Sequence, residues 1–441
     1  MNIKYTRKST EHYEYPQVSL LDDIGGKYIV DQIFEKRKKD VMIYIHIPFC
    51  TNNCRFCNYF KVHETDLKMV KIYFETLKKE LDIYKPYVAK VKAIQFGGGT
   101  PTCVPLQYYD DLICSIKDKF EYEKELQISM ESDIRQLLKN DTVDRLAEYG
   151  IKRISFGIQT FNNEIRQALG LPYSKDELLE KVRKIVRDSQ LDCNVDLMYN
   201  LPYQEAENLL DDINYCFEAG INCIDLYHLN IFPGTRMYRW MREKELLGEY
   251  YSISRQNDFY QAYQQLINDS CVNFCMSNTI SQRQKEPNTY INMQLGGIDC
   301  WQLGIGASAR GFVSDVGYRN YVDLNQYIKA VSASGYGIRS MKKCKDLIRR
   351  KFVLMPNLLK INISGLVLDS SIFNVIEKMI SENIFIKQGE YIKLSPDYYF
   401  FAGNVSEEFY TNDDVMLAQK IVMSNYRKGL NMYNQDKMNM R

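Results

Sequence analysis

The stretch Tyr44-Ile45-His46-Ile47-Pro48-Phe49-Cys50-Thr51-Asn52-Asn53-Cys54-Arg55-Phe56-Cys57 sets three cysteines directly behind a β-branched run that Pro48 stops. Such a run reads as a strand, and proline ends it because it has no N–H to give to a ladder. Thiolates of Cys50, Cys54 and Cys57 at Cys-x3-Cys-x2-Cys spacing suit a [4Fe–4S] cluster with one iron left open, whereas four thiolates give a closed electron carrier. An open iron takes the amino and carboxylate groups of S-adenosylmethionine (SAM), and one electron entering the sulfonium releases a 5′-deoxyadenosyl radical. Zinc remains the minor alternative, because thiolates suit it equally well; His63 is the close histidine, at a spacing unlike that of the usual paired ligands.

The rest of the chain is ordinary globular material: 441 residues, 45% apolar and 26% charged. No apolar stretch approaches the ~20 residues that cross a bilayer, and Met1–Lys8 lead into polar sequence, so no membrane span and no signal segment are expected. Twelve cysteines in that context predict a reducing cytoplasm. A net charge of +1 gives no basic excess for nucleic acid, and Lys36–Lys39, flanked by Glu35 and Asp40, reads as solvated surface. Cys271, Cys275 and the other remaining cysteines read as buried thiols.

Short β-branched runs alternate with amphipathic segments along the first half of the chain. Strands are predicted at Met42–Ile47, Lys92–Phe96, Leu126–Met130, Arg153–Gly157, Asn194–Met198 and Cys223–His228. Helices are predicted at Leu67–Lys85, Leu106–Phe120, Asp141–Tyr149, Lys175–Asp188 and Ala206–Ala219. Repeated βα units predict an α/β fold, a partial (β/α)6 TIM-like barrel, with reactive groups at the C-terminal ends of its strands. The cysteine loop, the run Gly97-Gly98-Gly99-Thr100, Glu131, Gln159, Asp196, His228 and Asn230 all fall at or near such ends. The glycine run reads as a cradle for a methionyl amino group, Glu131 as a ribose acceptor, and Asp196 as a carboxylate that needs a ligand or a helix N-terminus beside it. Gly304–Gly311 reads as a turn closing over the site, with Tyr318–Tyr321 at its mouth. Helices at Cys344–Leu354 and Ser371–Asn383 precede a hairpin, Ile384–Leu394, turning at Gln388-Gly389. They predict a smaller C-terminal α+β, winged-helix-like domain covering the barrel as a substrate lid. The expected domains are an extension over 1–40, a core over 41–335, the C-terminal domain over 336–426 and a frayed tail over 427–441.

Together with the cysteine loop, the segments Phe96–Thr102, Arg153–Phe161, Asp196–Pro202 and Phe232–Thr235 resemble the HemN-like radical SAM family over about residues 41 to 330. That family includes oxygen-independent coproporphyrinogen III dehydrogenases, haem chaperones and class C radical methyltransferases with the anaerobic haem-degrading enzymes. The resemblance implies that Cys50, Cys54 and Cys57 ligate the cluster and that Tyr44, Gly98 and Glu131 contact the SAM bound to it. It implies a second SAM on Phe56, Gly99, Thr100, Gln159 and Asp196, and an electron donor such as flavodoxin or ferredoxin. The chain departs from the family at Leu171, where an arginine is common, and in Met276–Ile280, where the haem-degrading branch carries a histidine.

Cys57-Asn58-Tyr59-Phe60 lacks the further cysteine of the coproporphyrinogen dehydrogenases and resembles the methyltransferase and haem-degrading branches, as do Ile224–Asn230 and Trp301–Gly311. The expected reaction is methyl or methylene transfer from the second SAM to an sp² carbon of a conjugated substrate, with haem, a tetrapyrrole, named by the resemblance. His228 is the candidate for proton handling, beside the reading of a structural histidine at a strand end. Oxidative decarboxylation of coproporphyrinogen and non-catalytic haem carriage stand as the alternatives.

Overall fold

The structure, a computed structural model, describes residues 14–18, 38–51, 54–57, 60–63, 66–139, 141–233, 235–282, 288–296 and 299–417. The predicted tail and most of the predicted N-terminal extension lie outside the described residues. Strands β1 (Lys39–Ile47), β2 (Val88–Gly98), β3 (Tyr122–Ser132), β4 (Arg153–Gln159), β5 (Asp192–Tyr199) and β6 (Cys223–His228) pair in parallel in chain order. With the helices between them they form the partial α/β barrel expected from the repeats. The helix Lys175–Asp188 has the predicted ends because Ser174 and Glu177 close a capping box at its start.

Strand alternation sorts the side chains. Ile43, Ile45 and Ile47 of β1, Ile128 and Met130 of β3, and Val195 and Leu197 of β5 are buried in the main core. The intervening residues Tyr44, Gln95, Ser129, Glu131, Ser155, Asn194 and Asp196 take the other face and line the barrel interior. A parallel sheet normally buries apolar residues on both faces, so this polar interior marks a site rather than a packed lumen. At the N-terminal end of the strands the helix Thr289–Gln294 plugs the barrel, with Tyr290 and Met293 against Met42 and Ala93. Gln302 donates to the Tyr290 hydroxyl at 2.9 Å, and Gln127 accepts from the Thr289 N–H at 2.8 Å.

Six further strands, all short, extend the sheet: β7 (Asn273–Met276), β8 (Thr279–Ser281), β9 (Trp301–Ile305), β10 (Arg310–Val313), β11 (Val316–Asn320) and β12 (Ile338–Lys343). The order of the twelve is β12-β11-β10-β9-β1-β2-β3-β4-β5-β6-β8-β7, with β9 parallel to β1 and β7, β8, β10, β11 and β12 antiparallel to their neighbours. Gly304–Gly311 is only partly a turn: its ends belong to β9 and β10, and Gly306–Ala309 between them form the loop at the end of β9, against His46 of β1. Its glycines serve packing, since a Cβ on Gly304 would stand 2.2 Å from the Arg310 carbonyl and one on Gly311 would strike the Tyr318 ring at 2.2 Å. Tyr318 lines no mouth. It is buried on the helix side of β11, and the Gly304 N–H donates to its hydroxyl at 2.8 Å.

The C-terminal segment holds the helices Leu347–Leu358 and Ser370–Ser381 and a three-stranded sheet of β13 (Lys360–Asn362), β14 (Phe385–Gln388) and β15 (Tyr391–Leu394) in the order β13-β15-β14. The hairpin turns at Gly389-Glu390, one residue later than predicted, because Gln388 pairs with Tyr391 and Gly389 takes the left-handed φ of +57°. The helix Leu347–Leu358 contacts both flanks of the large sheet. Arg350 stacks on Phe312 of β10 at 4.0 Å, Leu354 packs with Met276 of β7, and the Asn357 carbonyl accepts from the Ser277 N–H at 3.0 Å.

One buried carboxylate ties the added strands to the barrel. Glu80, fully buried on the helix Leu67–Tyr84, accepts from the Gly306 N–H at 3.0 Å and the Tyr327 hydroxyl at 2.6 Å through Oε2. Its Oε1 accepts from the Gly337 N–H at 2.9 Å and Asn320 Nδ2 at 3.2 Å. Removing the acceptor strands several buried donors, so Glu80→Ala is expected to cost about 3 kcal/mol or more in urea unfolding, and Glu80→Gln less. Burial pushes Glu80 up to about 7, against the pull of these donors. A carboxyl whose folded pKa is raised binds its proton more tightly when folded, so its contribution is full below the unfolded value and is lost as pH rises through about 7. Unfolding measured from about pH 5 to about pH 8 should therefore show a shallower decline in Glu80→Gln than in the wild type.

Candidate functional site

β1 ends at Ile47, and the chain beyond Pro48 is folded back on itself. The Val62 N–H donates to the Pro48 carbonyl at 2.8 Å and the Cys50 N–H to the Val62 carbonyl at 3.0 Å. His63 Nδ1 lies 2.9 Å from the Cys50 carbonyl. From the other side the end of β2 grips the same loop: Gly99 N–H donates to Ile47 O at 2.9 Å and Thr100 N–H to Phe49 O at 2.8 Å. This approach is closed to any residue with a side chain, because a Cβ on Gly98 would stand 2.6 Å from Ile47 O and one on Gly99 2.4 Å from Phe49 O. The glycine run, expected as a ligand cradle, thus has a structural duty first: it docks strand end on cysteine loop. The buried Thr100 hydroxyl reaches Cys50 Sγ at 3.2 Å. The far limb is anchored by Arg55, which donates to the Ala168 carbonyl at 2.9 Å and lies 4.9 Å over the Trp240 ring. Phe56 packs on an apolar cluster containing Ile165 and Leu169, and Leu171, at the position where the family has an arginine, packs on the same cluster.

The donor set fits an iron–sulfur cluster. Cys50 is buried, Cys54 and Cys57 are partly buried, and none of the three is in a disulfide. Burial raises the Cys54 thiol, with Lys61 opposing and Cys57 and Cys50 adding to the rise. Three soft thiols on one short loop are the donor type that would hold an iron–sulfur cluster.

Inside the barrel the polar residues form two hydrogen-bonded groups. Tyr44 Oη and Glu131 Oε1 flank Gly97, each so close that a Cβ there would stand 2.8 and 2.7 Å away. The Gly98 N–H donates to Glu131 Oε2 at 3.2 Å, and Tyr44 Oη lies 3.1 Å from His46 Nδ1. Across the lumen Ser155 donates to Asp196 Oδ1 at 2.8 Å, and Asn194 Nδ2 reaches Asp196 Oδ1 at 3.2 Å and Asp225 Oδ2 at 2.9 Å. Arg153 is a buried cation 3.6 Å from Asp225 Oδ2, and Thr279 donates to Asp225 Oδ1. Of the partners expected beside Asp196, the structure shows among the described residues no helix N-terminus but a hydroxyl from the adjacent strand, Ser155 of β4, and an amide two residues back on its own strand, Asn194. Burial pushes Asp196 up to about 7, with Asp225 adding and Ser155 opposing. Glu131 is likewise raised to about 7 by burial, against the Gly98 N–H and Gln95.

Gln159 ends β4 with a left-handed φ of +71°, its side chain folded so far over Gly157 that a Cβ there would meet Nε2 at 2.2 Å. Two buried charges hold this backbone. Arg166 donates to the carbonyls on either side, Ile158 at 3.0 Å and Thr160 at 2.6 Å, and Asp212 accepts from the Phe161 N–H at 2.6 Å.

His228 is not brought to these groups. Alternation along β6 turns Asp225 inward and His228 outward, where it meets Tyr199 and Tyr250 and its Nε2 lies 3.0 Å from Asn200 Nδ2. Arg255 in turn holds Asn200 Oδ1 at 2.7 Å. A cavity of about 440 Å³ lined by Glu205, Glu249, Arg255 and Phe259 opens on this outer side, apart from the cysteines.

Residues 44–216 match the model of the radical SAM superfamily. The heme chaperone HemW of Lactococcus lactis is 26% identical over 290 residues, 65% of this chain and 73% of that protein. The anaerobilin synthase of Escherichia coli O157:H7 is 25% identical over 314 residues, 69% and 68% of the two chains. The oxygen-independent coproporphyrinogen III oxidase of Escherichia coli K12 is 25% identical over 370 residues, 80% and 79%. The solved coproporphyrinogen III oxidase HemN from Escherichia coli shares the fold, with a TM-score of 0.74 over 91% of this chain and 97% of that one at 20% identity. The chain carries a radical SAM domain and is similar in sequence and fold to HemN-like proteins.

In this HemN-like barrel the sequence reading missed Arg153, Ser155, Asn194, Asp225 and Thr279. Their signal was the inward register of each strand, which places a polar residue at every second position beside Asp196. Because the cysteine loop depends on backbone contact with β2, Gly99→Ala is expected to leave folded protein with less than about half the wild-type iron and sulfide after anaerobic reconstitution, as read by iron and sulfide assay.

Proposed function

We propose that the chain is a radical SAM enzyme that moves a methyl or methylene unit from a second SAM to an sp² carbon of a conjugated substrate of the tetrapyrrole class. The observation that carries this reading is the division of the lumen. Tyr44, Gly98 and Glu131 stand at the β1–β3 side by the cysteine loop, while Gln159 and Asp196 stand across β4 and β5 with Ser155 between. Two sets of acceptors suit two cofactor molecules. The tetrapyrrole class is supported by relatives named for heme, anaerobilin and coproporphyrinogen III. The absence of a further cysteine in Cys57-Asn58-Tyr59-Phe60 favours transfer over oxidative decarboxylation.

With a [4Fe–4S] cluster on Cys50, Cys54 and Cys57 and SAM at its open iron, the site gains a one-electron cleavage that starts hydrogen abstraction. The chain's own residues do the rest. The Thr100 hydroxyl lies 3.2 Å from Cys50 Sγ, and Glu131, held by the Gly98 N–H, offers Oε1 to a ribose hydroxyl. Asp196 has Oδ1 occupied by Ser155 and Asn194, which leaves Oδ2 for the second cofactor. His228, on the outer face, has no part in proton handling on this reading.

Haem carriage without chemistry is the second reading, favoured by Leu171, which packs in an apolar cluster where the family has a cationic contact. Anaerobically reconstituted protein given reductant, SAM and haem is expected to form both 5′-deoxyadenosine and S-adenosylhomocysteine. Deoxyadenosine with carbon dioxide from a porphyrinogen would replace transfer by decarboxylation, and tight haem binding with neither nucleoside would leave carriage. The ionised Asp196 is the form that accepts hydrogen bonds, so binding of the second SAM equivalent should strengthen as pH rises through about 7. Asp225→Asn removes a like charge and should move that midpoint down by about one pH unit in an equilibrium titration.

A further inference from the structure

Beyond β1, the sheet carries two arginines on its lumen side. Arg310 of β10 and Arg319 of β11 stand directly opposite one another in antiparallel register, on the face that Phe312 shares with Gln302. Arg319 sits at the catalytic end of the barrel. Its Nη2 lies 3.4 Å from Ser308 Oγ, in the loop that leaves β9, and that loop is pressed on β1 so closely that a Cβ on Gly306 would stand 2.7 Å from the His46 carbonyl. The Arg319 charge reaches His46, which burial and this neighbour together keep neutral at ordinary pH.

Arg319 is under-satisfied. Its Nε is buried with no hydrogen-bond partner, and among the described residues no carboxylate pairs with it. Arg310 does have a carboxylate, that of Glu14, brought in by the segment 14–18, whose Val18 lies against Gly317. Two guanidinium groups side by side, with one carboxylate on Arg310, leave the Arg319 charge without a counter-ion in a partly desolvated place. A planar fork in that situation suits a carboxylate, which can take two N–H donors at once.

We propose that Arg310 and Arg319 form a carboxylate subsite for the substrate at the edge of the lumen, and that Glu14 occupies part of it until the substrate arrives. The inference rests on the tetrapyrrole reading above and adds how such a ring is oriented: an acidic side chain is held by the β10–β11 pair while the conjugated face lies toward the cysteine loop.

The test uses full-length, anaerobically reconstituted protein titrated with mesoporphyrin IX and with its dimethyl ester, followed by absorbance. The wild type should bind the diacid about tenfold more tightly than the diester. Arg319→Gln should abolish that preference and Arg319→Lys restore part of it. Glu14→Gln should tighten the diacid about threefold and leave the diester unchanged, a gain that a merely structural role for the segment would not produce. Equal binding of diacid and diester by the wild type, or a preference that survives in Arg319→Gln, would overturn the subsite while leaving the tetrapyrrole reading intact. Binding of neither porphyrin would overturn both.

Discussion

The contact on which the site depends is backbone against backbone. The end of β2 lies so close to the loop after β1 that neither Gly98 nor Gly99 has room for a Cβ, and two N–H···O bonds close the gap. Short contacts of this kind are stiff, because there is no side chain to rotate out of the way. The three thiols are therefore presented by a loop whose root is fixed by the sheet itself and whose tip is fixed by Arg55 and Phe56 against the helix Asn163–Leu169. Rigidity at the root matters for a cofactor that must receive an electron and position a second ligand without rearranging its own mount.

A second constraint is electrostatic. Three carboxyl groups, Glu131, Asp196 and Asp225, share one interior with the buried Arg153. Burial works against Arg153, but Cys223, Asp225 and Asp196 more than offset it and keep the guanidinium charged. Burial raises Glu131 and Asp196 to about 7 in spite of Arg153, so this part of the interior is sensitive to any cationic or hydrogen-bond-donating ligand that enters. An interior of this kind is costly as a core and useful as a receptacle.

Much of this was legible in the chain. The six parallel strands announced themselves as β-branched runs, and the cysteine spacing, the glycine run and Pro48 marked the candidate site. The helix starting at Lys175 was exact because a capping box is written in adjacent residues. What stayed hidden was non-local. β7 to β12 are too short to show a period, and Gly304 and Gly311, read as parts of a turn closing over the site, are explained only by Arg310 and Tyr318 arriving from later in the chain. His228 misled for a different reason. A histidine at a strand end looks catalytic until the register is known, and a single-residue step decides between the lumen of Asp225 and the outer shell of Tyr199.

The helix Leu347–Leu358 gives the C-terminal part a role that its sequence character does not suggest. By reaching Phe312 of β10 and Met276 of β7 it joins strands from the two halves of the twelve-stranded sheet. A single helix of a dozen residues thus couples strands that lie far apart in the hydrogen-bonded order, so displacing it would loosen both flanks of the sheet at once.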